Sequence, residues 1–183
     1  MLAGTGRGSG LTNIHRALAM LLLFAGVLAL TPVARAEIIS ISATAFIQQC
    51  PCAASGNLPE VNSGVLVPTD QSNLFAAVDF PVNGQNICSL SLVYQDVNEN
   101  DTMTARIYRK AFTAGGNPFN NPAVIATVRS ASGVNSRVRK ATTTAIGSPA
   151  IDDLTGFYFV EVSVPTINLN FLGVQIDYRP SCL

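Results

Sequence analysis

The sequence predicts an all-β fold: an antiparallel two-sheet sandwich of about eight strands, jelly-roll first and immunoglobulin-like second. Three observations predict it. Short runs with period-two alternation recur after residue 36, clusters of Gly, Pro, Asn, Ser and Asp separate them, and no long run shows a helical period. A strand that is apolar on one side only must bury that side against a second layer, so such a chain folds as a sandwich.

Residues 1–36 are set apart from the fold. Arg7, His15 and Arg16 give a positive start, and the 14-residue apolar run 17–30 follows. That run is shorter than the roughly 20 residues a spanning helix needs. Pro32 and the small residues Ala34 and Ala36 complete the pattern of a secretory signal peptide, with cleavage expected after Ala36. The expected mature domain is Glu37–Leu183, 147 residues, long enough for one domain with its own core. It is expected to be secreted, periplasmic or held at the cell surface, with no membrane span after cleavage.

Composition then removes whole classes of function. Arg7, Arg16 and Arg35 leave with the signal, so eight basic residues remain against eleven acidic ones, which points away from nucleic acid. The one histidine leaves too, and there is no tryptophan. No imidazole remains for a triad or a zinc site, so most hydrolase schemes lose a central part.

All four cysteines, Cys50, Cys52, Cys88 and Cys182, lie in the mature part, and an even count in an exported chain points to disulfides. Cys50 and Cys52 flank Pro51, where a mutual bridge would be strained. The preferred arrangement sends each to a distant partner, Cys88 or Cys182. The rival readings are a C-x-C redox pair and a four-thiolate metal site, and the spacing matches no common zinc ribbon.

The strands follow in order. Residues 37–46 form a first alternating strand, and 48–73 reads as loop with a short strand near Val65–Val67. Residues 74–81, LFAAVDFP, make the next strand, and an Asn-Gly turn follows. In CSLSLVYQ, Leu90, Leu92 and Tyr94 share the buried face. In MTARIYRK, Met103, Ala105 and Ile107 point in. Those two strands around the polar DVNENDT predict an antiparallel hairpin. AVIATVRS and SRVRKATTTAI are further strands. FYFVEVSVP turns Tyr158, Val160, Val162 and Val164 inward. LNFLGVQIDY closes the sheet with Leu172, Val174, Ile176 and Tyr178 inward.

The order of these strand motifs, from FAAVDFPVNGQ through SLSLVYQD and FYFVEVSVP to LNFLGVQIDY, resembles uncharacterised exported bacterial β-sandwich proteins of jelly-roll type. The resemblance covers about Leu74–Tyr178. It implies fold and export, and it carries no functional residue over.

Four constellations carry candidate chemistry. Asp96, Asn98 and Asn100 stand at positions 1, 3 and 5 of a calcium-loop pattern. Position 6 is Asp101 where an EF-hand needs Gly, and position 12 is Ile107 where it needs Glu. What is left is a polar turn, or a weak calcium site that borrows Asp152 and Asp153; no other cofactor is expected. Asp152, Asp153 and Glu161 are the carboxylates a carboxylate-only hydrolase would use. Tyr108 and Phe157, with Phe119 and Phe159, are the outward aromatics a sugar would stack on, and Phe157 and Phe159 are expected to pack under a covering loop instead. Arg137, Arg139 and Lys140, preceded by Arg129, read as a solvated strand that discourages edge pairing.

The reading is therefore an exported, non-catalytic structural or interaction protein whose partner is a protein or a glycan. The alternative is a carbohydrate- or calcium-dependent binding module.

Overall fold

In the computed structural model, residues 35–48, 60–62, 65–67, 72–96, 100–112, 122–165 and 169–182 are described. Among them eleven strands form: β1 Glu37–Ser42, β2 Ile47–Gln48, β3 Glu60–Asn62, β4 Val65–Val67, β5 Ser72–Val78, β6 Asn86–Asp96, β7 Thr104–Ala111, β8 Ala123–Arg129, β9 Asn135–Thr143, β10 Gly156–Val164 and β11 Leu169–Arg179. The expected 37–46 strand ends at Ser42, where a 3-10 turn of Ala43–Ala45 begins, and the count exceeds eight because the short strands β2 and β3 are added. One sheet runs β3-β4-β11-β6-β9, with β1 also paired to β11; the other runs β2-β5-β10-β7-β8. Every pairing within the two sheets is antiparallel. Strands β4 to β11 alternate between the sheets, with only β7 and β8 consecutive in one sheet. That interleaving is a jelly roll. Arg35–Leu183 forms one compact unit, and no described helix is long and apolar enough to cross a membrane.

The hairpin expected between β6 and β7 does not form. These strands lie in different sheets and do not pair with each other. Alternation shows which side of a strand is buried but not which strand lies beside it. Leu90, Leu92, Tyr94, Met103, Ala105 and Ile107 are nevertheless all buried as expected.

In β10, Tyr158, Val160, Val162 and Val164 are buried without exception. In β11 the phase changes. Leu169 and Phe171 are buried, then Val174, Ile176 and Tyr178, while Leu172 is only half-buried. The cause is a bulge: Phe171 pairs with Tyr94 and Gly173 with Val93, leaving Leu172 as an extra residue that switches the inward face from odd to even positions. Gly173 is required there, because a Cβ would stand 2.5 Å from the Ile41 carbonyl oxygen of β1.

Aromatic residues join the layers. The Phe80 ring lies 5.1 Å from Tyr158 in one sheet and 5.6 Å from Tyr178 in the other, edge to face with both. Phe46 meets Phe171 in the same way at 4.8 Å. The buried tyrosines find partners for their hydroxyls. Tyr94 accepts from Ala131 N–H at 2.8 Å, Tyr158 accepts from Asp152 N–H at 3.0 Å, and Tyr178 donates to Glu37 Oε2 at 2.6 Å.

The disulfide arrangement differs from the expected one. Cys88 and Cys182 bond to each other, with Cα atoms 5.2 Å apart, so neither is open to Cys50 or Cys52, which lie outside the described residues. A second bulge explains the fit. Asp177 pairs with Ser89 and Tyr178 with Ile87, so Cys88 is the extra residue on β6, next to the segment that leaves β11. The bond closes a loop across 94 positions of the chain. Replacing Cys88 and Cys182 together with Ser should lower stability by about 2–5 kcal/mol in urea unfolding. An unchanged midpoint would show that the bond does not constrain the unfolded chain.

Burial, and then the Glu37 carboxylate, push the Tyr178 hydroxyl up to about 12. The folded state thus holds this proton more tightly than the unfolded chain, where tyrosine ionises near 10. The contribution is complete below pH 10 and is lost as pH rises through 12, roughly 1 kcal/mol after solvent screening at the exposed Glu37 partner. The stability gap between the native protein and Tyr178→Phe should shrink by that amount between pH 9 and 12. A gap independent of pH would contradict this.

Candidate ligand-binding face

The inward alternation of β5, β10 and β7 dictates what their other side presents. Leu74, Ala76 and Val78 are buried, so Phe75 and Ala77 face out. Tyr158, Val160 and Val162 are buried, so Phe157, Phe159 and Glu161 face out. Across the strands, Ala77 pairs with Phe159 and Phe159 with Tyr108, while Phe75 pairs with Glu161 and Glu161 with Arg106. Ile47 of β2 stands opposite Phe75, and Lys110 opposite Phe157.

The rings form one continuous apolar surface. Tyr108 stacks on Phe159 at 5.1 Å with 13° between planes. Phe159 touches Phe157 at 6.1 Å and Phe75 at 6.3 Å, and Phe157 touches Phe112 at 5.9 Å. Phe157 is 47% exposed and Phe112 61%, whereas Phe75, Phe159 and Tyr108 are half-buried by their neighbours. The covering loop expected over Phe157 and Phe159 therefore does not shield Phe157 from solvent. Beside the rings lies an open recess of about 570 Å³, lined by Ile47, Gln48, Phe75, Ala77, Phe157 and Phe159.

Charged groups interleave with the rings. Burial first, and then a hydrogen bond and the charge of Glu161, raise the Tyr108 hydroxyl above its ordinary value, while Arg106 acts in the opposite direction. Glu161 thus ties the aromatic row to the charged row beside it.

Tyr108 and Phe157 are brought onto the same face, as are Phe159 and Glu161. Phe75 and Phe112 were missed, though the signal for Phe75 was legible, since it alternates with the apolar Leu74 and Ala76. Phe119 lies outside the described residues.

Asp96 ends β6 fully buried, Asn100 is exposed, and Asn98 lies outside the described residues. Asp152 and Asp153 cannot lend ligands to Asp96. The Asp153 N–H donates to Asn83 Oδ1 at 2.7 Å, and Ala150 bridges Asn86 at the start of β6. Asp96 lies ten residues along that strand, about 33 Å away. No group of three or more His, Cys, Asp or Glu among the described residues is placed to hold a metal.

The carboxylate pair fails similarly. Glu161 is five residues along β10 from Gly156, about 17 Å, and Asp153 comes before Gly156, whereas glycosidase pairs stand about 5–9.5 Å apart. Asp152 has a structural role. The Thr155 hydroxyl, and then other contacts including Arg109, hold its carboxyl below the usual range, and Arg109 Nη2 lies 3.0 Å from Asp152 Oδ2. Asp153 moves the other way, chiefly through burial and then the charge of Asp79.

Arg137, Arg139 and Lys140 lie on β9, the edge of its sheet, and Arg129 on β8, the edge of the other. A charged edge strand resists pairing with another chain.

The fold and this face define a jelly-roll module with an aromatic outer surface. No protein-family model matches the sequence, and no curated protein matches it. Solved structures do resemble the fold. One is the CBM36-1 domain of a multidomain xylanase from the hindgut metagenome of Trinervitermes trinervoides, at 15% identity and TM-score 0.41, over 76% of this chain and 96% of that one. Another is the CBM22-1–GH10 portion of the Clostridium thermocellum endo-1,4-β-D-xylanase 10B with xylohexaose, at 11% identity and TM-score 0.43, over 82% of this chain and 29% of that one. At these levels the likeness transfers no residue and no ligand.

Glu161→Gln should lower the Tyr108 ionisation toward the ordinary tyrosine value near 10. NMR titration of the Tyr108 ring reads this directly, and an unmoved value would mean the two side chains do not interact.

Proposed function

We propose that this chain is an exported, non-catalytic binding module that holds a glycan on the outer face of β5, β10 and β7. One observation carries the reading: five aromatic rings, Phe75, Tyr108, Phe112, Phe157 and Phe159, cover this face and are interleaved with Glu161, Arg106 and Lys110. Sugars have apolar C–H faces and hydroxyl rims, so they suit a surface offering rings and charged hydrogen-bonding groups in adjacent rows. A uniformly apolar patch would suit another protein better.

The same view places the protein outside the reducing cytoplasm. The Cys88–Cys182 bond and the positive-then-apolar N-terminal segment support that placement. The separated carboxylates and the absence of a mature histidine support a role in binding rather than bond cleavage. The sequence reading of a structural or interaction protein thereby narrows to its carbohydrate-binding alternative.

Affinity electrophoresis against soluble neutral polysaccharides tests it. Retardation is expected, and Phe157→Ala should weaken it by about tenfold or more, the effect of removing an exposed aromatic anchor. Absence of retardation across the panel, or full retention by Phe157→Ala, would count against the proposal.

A further inference from the structure

Ala77 is the one small side chain in the ring of outward residues formed by Phe75, Phe157, Phe159 and Ile47. It pairs with Phe159 and follows Phe75 by two positions, so its short side chain leaves a gap where a larger residue would continue the surface. Strand β2 does not cover the gap. Its two residues pair with Leu74 and Phe75 and stop short of Ala77. The recess of about 570 Å³ is the result, and its walls are almost wholly apolar.

The charges near it are arranged around the recess and not inside it. Among the described residues, its lining holds no ionisable group except the buried Tyr158, and Gln48 is its polar side chain. Asp79 is exposed two positions beyond Ala77, and Glu161 stands across from Phe75. Arg106 and Lys110 lie on β7, one strand further away, opposite Glu161 and Phe157. A carboxylate entering the recess would lose hydration without gaining a cation from its lining, and the nearest outward charges on the flanking strands β5 and β10, Asp79 and Glu161, are themselves carboxylates.

We infer that Ala77 sets the specificity of this face, by leaving a slot that accepts a neutral pyranose ring and rejects a sugar acid. The inference rests on the glycan-binding reading above. The slot takes the apolar face of one sugar ring against Phe157, Phe159 and Phe75, and the rest of the chain runs over Tyr108 toward Glu161 and Arg106. Ala77 is exposed, so enlarging it fills the slot without disturbing the core.

Titration calorimetry on the full mature chain tests this with two probes, a neutral β-glucan oligosaccharide and an oligogalacturonate of similar length. The native protein should bind the neutral probe at least about tenfold more tightly. Ala77→Leu should lose about tenfold in that affinity at an unchanged melting temperature, and Ala77→Ser should keep it. Equal or tighter binding of the oligogalacturonate would overturn the slot's selectivity while leaving glycan binding in place. Native affinity in Ala77→Leu would overturn the role of Ala77. Binding of neither probe by the native chain would overturn the glycan reading itself, and this inference with it.

Discussion

The strict alternation of β10 is the constraint on which the exposed face depends. Tyr158, Val160, Val162 and Val164 each enter the core, and β5 and β7 flank the strand on both sides. A slip of one residue would expose all four and bury Phe157, Phe159, Glu161 and Ser163. The two rings that would enter the core offset two of the four lost apolar groups, at about 1.5–3 kcal/mol each, but the Glu161 carboxylate and the Ser163 hydroxyl would be buried in place of the other two, which decides the register. The core therefore holds the outer rings in place, and their arrangement persists without a ligand.

The ends of the sandwich need different devices, because alternation cannot bring two sheets together. Phe80 contacts Tyr158 and Tyr178 from between the layers, and the Tyr158 hydroxyl holds the Asp152 backbone. The loop carrying Asp152 is further fixed by backbone bonds from Ile87 N–H to the Pro149 carbonyl and from Gly84 N–H to the Ile151 carbonyl. The Cys88–Cys182 bond then ties the segment beyond β11 to the start of β6. These contacts lie on the side of the molecule where β10 begins, so Phe157 emerges from an anchored strand end.

Much of this was legible in the sequence. The fold class and nearly every inward residue of β6, β7 and β10 follow from period two, and the jelly-roll preference follows from the long loops before Asn73 and around Gly115. The rest depended on facts that period two does not contain. The β6–β7 hairpin failed because sheet membership is a long-range property. Leu172 failed because a bulge shifts the phase, and its cause, the approach of β1 to Gly173, lies far away in sequence. The cysteine pairing failed because strain was judged only at Cys50 and Cys52, while the bulge that presents Cys88 to Cys182 leaves no sequence signature. At the candidate site, Tyr108 and Phe157 were legible singly. Their union with Phe75 and Phe112 required the strand order.

The opposite sheet provides the control for reading the aromatic face as functional. Its outer surface comes from strands with the same alternation, yet much of it is a network of polar side chains bonded to one another, with Ile38 and Val138 as separate exposed aliphatics. Lys140 Nζ donates to Gln175 Oε1 at 2.8 Å, Gln175 Nε2 to Ser40 Oγ at 3.4 Å, and Asn170 Nδ2 to Gln95 Oε1 at 3.0 Å. The hydroxyls of Ser91 and Thr142 share a bond of 2.9 Å. Such a network satisfies its own hydrogen-bonding groups, and single exposed aliphatics among it are ordinary for a protein surface. Five rings on the other sheet are not, since Phe157 and Phe112 keep large apolar areas wet. One fold thus carries one outer face of touching rings and another that is mainly polar, and sandwich architecture does not demand that difference. The cost of the wet rings is offset when something with an apolar face lies on them, which makes this sheet, and not the polar one, the side where a ligand is to be sought.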